Sequence, residues 1–414
     1  MLSYYSRAAR RCVHLFSFVL VPLLSSSGAF GQVAAGQAAD QSGSLPEVLV
    51  TAPTTVPTPE NDVASSISVI TDQQIDAHQW RTVPDALETV PGLNVVQTGG
   101  PGGLTSVYIR GTSSDHVKVL IDGIDVTDPS NSNAFDFGQL LASDIERIEV
   151  LRGPQSGLYG SDAIGGVINI ITKKGQGPLK VTGTIEGGSF GTLNQYLRAS
   201  GSQSIFNYSF NVAHYRSTDT PVTPLNKLLP GEQRNNNSYD NLTFSTKLGA
   251  DINEHLSLNY VGRYTNSSYF FTGDSLDDTT FLYYPSPTQS QQVDHDYFTR
   301  GEMVTSFFDD RLKNYLGINY SDSWSLNLTP DSLPENYQGK RLQEDWRSVI
   351  QALPGETVVI GADHKDETLW QINPDTNASQ ADTGAYAELE SNFYNRAFLT
   401  SNIRYDDYST FGGI

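Results

Sequence analysis

The seven histidines, His14, His78, His116, His214, His255, His295 and His364, are scattered, and no two have the spacing that puts a metal-binding pair on one helix face. "GGPGG", residues 99–103, has the glycines of a phosphate loop but no Gly-Lys-Ser/Thr after it. "DHD", Asp294–Asp296, has metal-ligand residue types, yet it stands where an alternating strand begins, and a solvated rim is the expectation there. The single cysteine, Cys12, lies in an N-terminal targeting segment, so disulfides, thiolate metal sites and thiol catalysis are excluded from the mature chain. What remains is the chemistry of main-chain hydrogen bonding. "LPEVLVTAP", Leu45–Pro53, holds the run Val48, Leu49 and Val50 between prolines, with flanks that offer no pairing strand. Such a segment suits addition to the edge of another sheet. The alternative is that Glu47–Thr51 is the first strand of the domain that follows.

The elements that would position such a segment are marked by shifts in composition along the 414 residues. Arg7, Arg10 and Arg11 precede the apolar run "CVHLFSFVLVPLL", and Ala29 and Gly31 have signal-peptidase spacing, so residues 1–31 read as a signal peptide. The run is too short for the roughly 20 apolar residues of a membrane helix. Cleavage removes three arginines and takes the formal charge from -20 to -23, which argues against nucleic acid as a partner. Residues 32–60 read as a flexible segment, rich in Ala, Gly, Gln, Thr and Pro.

Residues 61–175 read as a compact α+β domain. "SISVI" is a strand, "TDQQIDAH" a helix capped at Thr71 or Asp72, and "TVPDALETVPG" a short helix closed by Pro91 and Gly92. "SVYIRG", "VKVLIDG", "RIEVLRG" and "GGVINIIT" supply further strands. From residue 176 onward, alternating segments recur with aromatics near their ends. In "FNYSFNVAHY", Phe206, Tyr208, Phe210 and Val212 share one face and Asn207, Ser209 and Asn211 the other. Tight turns such as "DINEH" alternate with long loops, as expected of an outer-membrane barrel.

Three stretches carry a family resemblance: "EVLVTA", "IRGTSSDHVKVLIDGIDV" and "DIERIEVLRGPQSGLYGSDAIGGVINIITKKG". They resemble the energy-coupling box and plug domain of TonB-dependent outer-membrane receptors, most of all the cobalamin receptors among them. The fold this implies is an all-β transmembrane barrel with an N-terminal α+β plug. The localisation it implies is the outer membrane of a Gram-negative cell, and the activity is transport rather than enzyme chemistry.

The resemblance also implies roles. Glu47, Val48, Leu49, Val50, Thr51 and Ala52 would be the box captured by the periplasmic protein TonB. Gln97, Thr98, Leu104 and Thr105 in the glycine-rich loop, with Asn131 and Ser132, fall at cobalamin-facing positions. Arg110 and Arg152, with Glu149 beside the second, would lock plug to barrel by ion pairs with wall carboxylates. Partners would be TonB, outer-membrane lipid and a scarce small solute. The cargo expected is a cobalamin-like corrinoid, and the alternative is a ferric siderophore or haem. A passive pore or adhesin barrel is the competing class. No cofactor is expected unless calcium binds loop aspartates such as Asp219, Asp240, Asp274, Asp277 and Asp278, for which solvated surface is the competing expectation.

About eleven candidate strands precede "YDDYSTFGGI", whereas single-chain bacterial barrels have an even number and close on themselves. The expectation is therefore an incomplete barrel, about half of a 22-stranded one, and an inactive truncated fragment as one outcome.

Overall fold

The computed structural model describes residues 49–52, 58–60, 63, 65–229, 231–276, 281–330, 332–373, 375–394 and 396–413. The signal-peptide reading of residues 1–31, Glu47 and Val48 of the box, and Asp277 and Asp278 lie outside them.

The plug forms as its local signals dictate. Strand Ser66–Thr71 runs into helix Asp72–His78 through a capping box, in which the Thr71 hydroxyl accepts from Gln74 N and the Gln74 side chain accepts from Thr71 N. Helix Val83–Leu87 follows Thr82, with Pro84 in its first turn where no amide is needed, and buries Val83, Ala86 and Leu87. A five-stranded sheet has the order Ser66–Thr71, Ile145–Arg152, Gly166–Thr172, Val117–Ile121 and Ile124–Asp125. All its pairs are antiparallel except Val117–Ile121 with Gly166–Thr172. Ile109, Ile148, Val150, Ile168 and Ile170 are fully buried in the plug core. Leu93–Gln97 and Thr105–Ile109 make a separate hairpin, with the glycine-rich loop at its tip.

The wall is a meander of antiparallel strands in strict sequence order, from Lys180–Gly187 to the two-residue strand Gly412–Gly413. Eleven strands of eight or more residues precede that last one, in agreement with the count of alternating segments. Its two end strands are not paired with each other, so the barrel is partial. Strand Phe206–Thr220 obeys the expected alternation: Phe206 and Phe210 are outward and 58% and 50% exposed, whereas Asn207, Ser209 and Asn211 are inward and buried. Beyond Val212 the geometry continues while the chemistry inverts, with Ala213 and Tyr215 inside and Arg216 outside. Turns at Ser204–Ile205 and Glu254–His255 are tight, whereas at the other end Thr220 and Asn237, and Phe271 and Ser290, are the ends of successive wall strands far apart in sequence. Wall residues Val261 and Phe298 complete the plug's hydrophobic core, so the two parts share buried apolar surface.

Two expectations require correction here. The segment after the box does offer a pairing strand, since Leu49–Val50 pairs with Thr58–Pro59, a two-residue partner short enough to tolerate proline at its edge. Asp294 is not on a solvated rim: it is 4% exposed and accepts hydrogen bonds from Ser267, Gln292 and Ser325 on the inner face of the wall.

Candidate functional site

Residues 49–52 end against a buried carboxylate. Glu149, fully buried in the middle of strand Ile145–Arg152, accepts from the backbone amides of Thr51 and Ala52 at 3.0 and 2.7 Å on one oxygen, Oε2. Asn169 Nδ2 donates to the same oxygen and to Thr51 Oγ1, both at 3.1 Å, while Arg147 Nε holds Oε1 at 2.8 Å. Tyr159 OH donates to Ala52 O at 2.9 Å, and burial, reinforced by the Glu149 charge, pushes its phenol well above the ordinary range. Val50 and Ala52 are fully buried. Glu149 occupies this position because the parity of its strand turns Glu149 and Arg147 to one side and Ile148 and Val150 into the core. A carboxylate accepting two successive amides holds the segment by charge-assisted hydrogen bonds, stronger than neutral ones.

Arg110 and Arg152 make no ion pair with the wall among the described residues. Arg152 donates to the carbonyls of Pro91 and Ile67 and to Ser68 Oγ, all within the plug, and Arg110 is exposed at a positive φ of 51°. Among the described residues, three of the ionic contacts between plug and wall have the opposite polarity, with basic groups on the wall and acids on the plug. Lys247 meets Asp122 at 2.6 Å and Arg263 meets Asp144 at 2.8 Å. Arg341 meets Asp125 at 3.1 Å and also donates to Thr127 O at 2.8 Å and Asn133 Oδ1 at 3.2 Å. One pair runs the other way, Arg81 of the plug with Glu186 of the wall at 2.7 Å. Burial opposes ionisation of Asp125, but Arg341 and Lys118 outweigh it and hold its carboxyl well below the usual range. These wall cations were legible only as charged residues at inward parity in alternating strands.

The sequence-selected apex residues divide. Gln97, Thr98, Leu104, Asn131 and Ser132 are exposed. Thr105 is fully buried, donates through its hydroxyl to Gly103 O and gives its amide to Asp136 Oδ1, so it shapes the loop and does not face a solute. The glycine-rich loop is docked, not free. Gly99 O accepts from Tyr269 OH at 2.7 Å and from Asn237 Nδ2 at 2.9 Å, and Gly102 packs so tightly on Tyr239 that a Cβ would lie 2.0 Å from its ring. Asp136 ties this loop to the next by also accepting from Gly138 N at 2.8 Å. Burial, with Asp294 nearby, raises the Asp136 carboxyl to about 7 despite those amides. The second apex loop, Asp128–Ala134, seats on a different part of the wall, where a Cβ at Gly339 would strike Asp128.

The loop aspartates do not form a calcium site among the described residues. Asp240 is outward on its strand beside His214, Asp219 accepts from Thr218, Asp274 lies in the small hairpin Asp274–Leu276 with Tyr283–Pro285, and no group of three or more potential ligands is brought together.

Comparison with known proteins agrees with this architecture. Residues 59–167 match the family profile "TonB-dependent Receptor Plug Domain". The siderophore receptor PirA of Acinetobacter baumannii is similar in structure, with TM-score 0.64 at 17% identity over 84% of this chain and 57% of that one. The ferripyoverdine receptor of Pseudomonas aeruginosa gives 0.68 at 17% identity, over 89% and 55% of the two chains. The ferric enterobactin receptor PfeA of Pseudomonas aeruginosa gives 0.64 at 16%, over 84% and 59%. The chain thus spans between half and two thirds of the length of these receptors. It carries the plug domain of the TonB-dependent receptors at residues 59–167, set in a partial barrel wall with their fold.

Proposed function

We propose that this protein takes part in TonB-energised import of a scarce solute across the outer membrane. The observation that carries the reading is the tether of Thr51 and Ala52 to Glu149. A segment held to the plug by its main-chain amides on one carboxylate is one that a partner's sheet edge can capture by offering main-chain acceptors, and pulling on it acts directly on the plug's central sheet. The family is one of transport receptors, and the arrangement calls for no bond-making step.

Between the two cargo readings we favour a ferric siderophore over cobalamin, because the similar structures named above are receptors for siderophores. In this reading the exposed apex residues Gln97, Thr98, Leu104, Asn131 and Ser132 contact the chelate. The outward apolar side chains of the wall face lipid. The test is uptake of radio-iron from a panel of ferric siderophores in a receptor-null Gram-negative strain expressing this gene from its own locus. A form lacking Glu47–Ala52 and a parallel assay with labelled cobalamin run beside it. Siderophore uptake abolished by the deletion supports the proposal. Uptake indifferent to the deletion would mark a passive pore, and cobalamin uptake alone would restore the corrinoid reading.

A further inference from the structure

A cavity of about 420 Å³ lies between plug and wall, away from the apex and towards the tight-turn end of the strands. Thr51 and Tyr159 of the box tether form part of its lining. The carboxylates that line it are already engaged: Asp122 by Lys247, Asp125 by Lys118, Glu302 and Asp345 by Arg300, and Asp363 by Arg404. Among its basic residues, Lys174 and Arg347 have no ion pair among the described residues, and Lys174 is exposed.

Arg347 is held in a made-to-measure slot. It lies on the inner face of strand Glu335–Leu353, with its guanidinium carbon 4.2 Å from the centroid of the Tyr315 ring on the neighbouring strand. On the other side it stands opposite Gly361, and beyond that glycine the Tyr386 ring closes the gap. A Cβ at Gly361 would lie 2.4 Å from the Tyr386 ring, so the glycine lets that aromatic lie across the strand, where the Arg404 guanidinium carbon stands 5.6 Å from its centroid. Arg347 Nε is buried and has no hydrogen-bond partner. Stacking on tyrosine orients a guanidinium but satisfies none of its N–H donors. A half-buried cation with its fork unpaired and a cavity in front of it is a site for a paired-oxygen anion.

We infer that Arg347, stacked on Tyr315, binds an oxyanionic group, a carboxylate or a phenolate oxygen pair, and forms an internal station on the side of the plug opposite the apex. The suggestion that this group belongs to an iron-chelating solute rests on the import reading above. The site itself rests only on the cavity and the unpaired guanidinium.

The test uses the purified full chain in detergent, with iron-free citrate and dihydroxybenzoate as separate probes. Phenylglyoxal modification of Arg347, read by mass spectrometry, is expected to be suppressed by one or both probes, while modification of exposed Arg216 is unchanged. Calorimetric titration of the Arg347→Gln variant should give binding roughly ten- to a hundredfold weaker, and Arg347→Lys should restore only part of it. Protection by citrate alone identifies carboxylates as the ligand class, and protection by dihydroxybenzoate alone identifies catechol-type groups. Arg347 modified equally with and without both probes overturns the inference even where siderophore uptake succeeds. Protection in a protein that imports no siderophore leaves the site standing and removes the import reading. The modification assay needs no variant, so a misfolded Arg347→Gln protein does not decide the question.

Discussion

Arg341 of the wall and Asp125 of the plug, 216 residues apart in sequence, meet at 3.1 Å with both side chains buried. The guanidinium also reaches Thr127, Asn133 and, on the wall, Glu367 at 2.6 Å, so its donors are spread over both parts. Removing one member of a buried network leaves the others uncompensated. Arg341→Ala is therefore expected to weaken plug docking by about 3–5 kcal/mol, read as loss of protection of the 125–133 loop from proteolysis and a lower midpoint in urea. The same contact sets an acid limit. Because the folded Asp125 carboxyl titrates below its free value of 3.8, its contribution is present above about pH 4 and is lost as pH falls through the folded value. Docking monitored from pH 6 downward should show that loss, and Asp125→Asn should remove it.

Asp136 titrates in the opposite sense. Its carboxyl, raised to about 7 by burial, remains protonated in the folded apex while the unfolded chain has already ionised. The apex should lose stability as pH rises from about 4 to 7 and change little above that. Hydrogen exchange at the Thr105 and Gly138 amides, corrected for intrinsic rates, checks it. Asp136→Asn keeps an oxygen to accept both amides and should flatten the profile.

The tether of Thr51 and Ala52 to Glu149 predicts a gain rather than a loss. Glu149→Gln replaces a charged acceptor for two amides by a neutral one and leaves Arg147 paired with Glu146 alone, which should weaken the tether by about 2 kcal/mol. Faster proteolysis between residues 47 and 57 is the expected readout, with stronger capture by a TonB C-terminal domain if the import reading holds. A segment as protected as in the parent protein would remove Glu149 from the tether.

Inward and outward parity can be separated at adjacent positions. Phe210→Arg puts a charge on the outward face at mid-strand and should cost about 2–4 kcal/mol in a bilayer, seen as a reduced folded fraction in lipid vesicles. Asn211→Ser, one residue on and facing inward, should fold normally.

A close approach makes the last prediction. Gly102 has a positive φ of 80° and its α-carbon faces the Tyr239 ring, so Gly102→Ala combines backbone strain with a clash. The glycine-rich loop should undock from the wall, measured as increased exchange at residues 98–104, whereas Gly111→Ala, at a similar φ in open space, should have the backbone cost alone.

Alternation and turn chemistry determined the elements. The period of two in "FNYSFNVAHY" fixed which residues of that strand face in and out, the helix expected to be capped at Thr71 or Asp72 is capped by Thr71, and "SISVI", "SVYIRG", "VKVLIDG", "RIEVLRG" and "GGVINIIT" each became strands. These features depend on neighbours a few residues away, and the sequence contains those neighbours. Which charges meet was a different matter. Arg110 and Arg152 stood out beside their glycines, yet the cross-contacts come from Lys247, Arg263 and Arg341 on the wall. Thr105 looked like an apex contact and is a buried brace. Glu149 tethers Thr51 and Ala52, nearly a hundred residues earlier, and Arg347 is oriented by Tyr315 on the neighbouring strand. Parity along a strand says which way a side chain points, but only the register between plug and wall says what stands opposite it. That register is fixed by the packing of surfaces formed by residues a hundred or more positions apart.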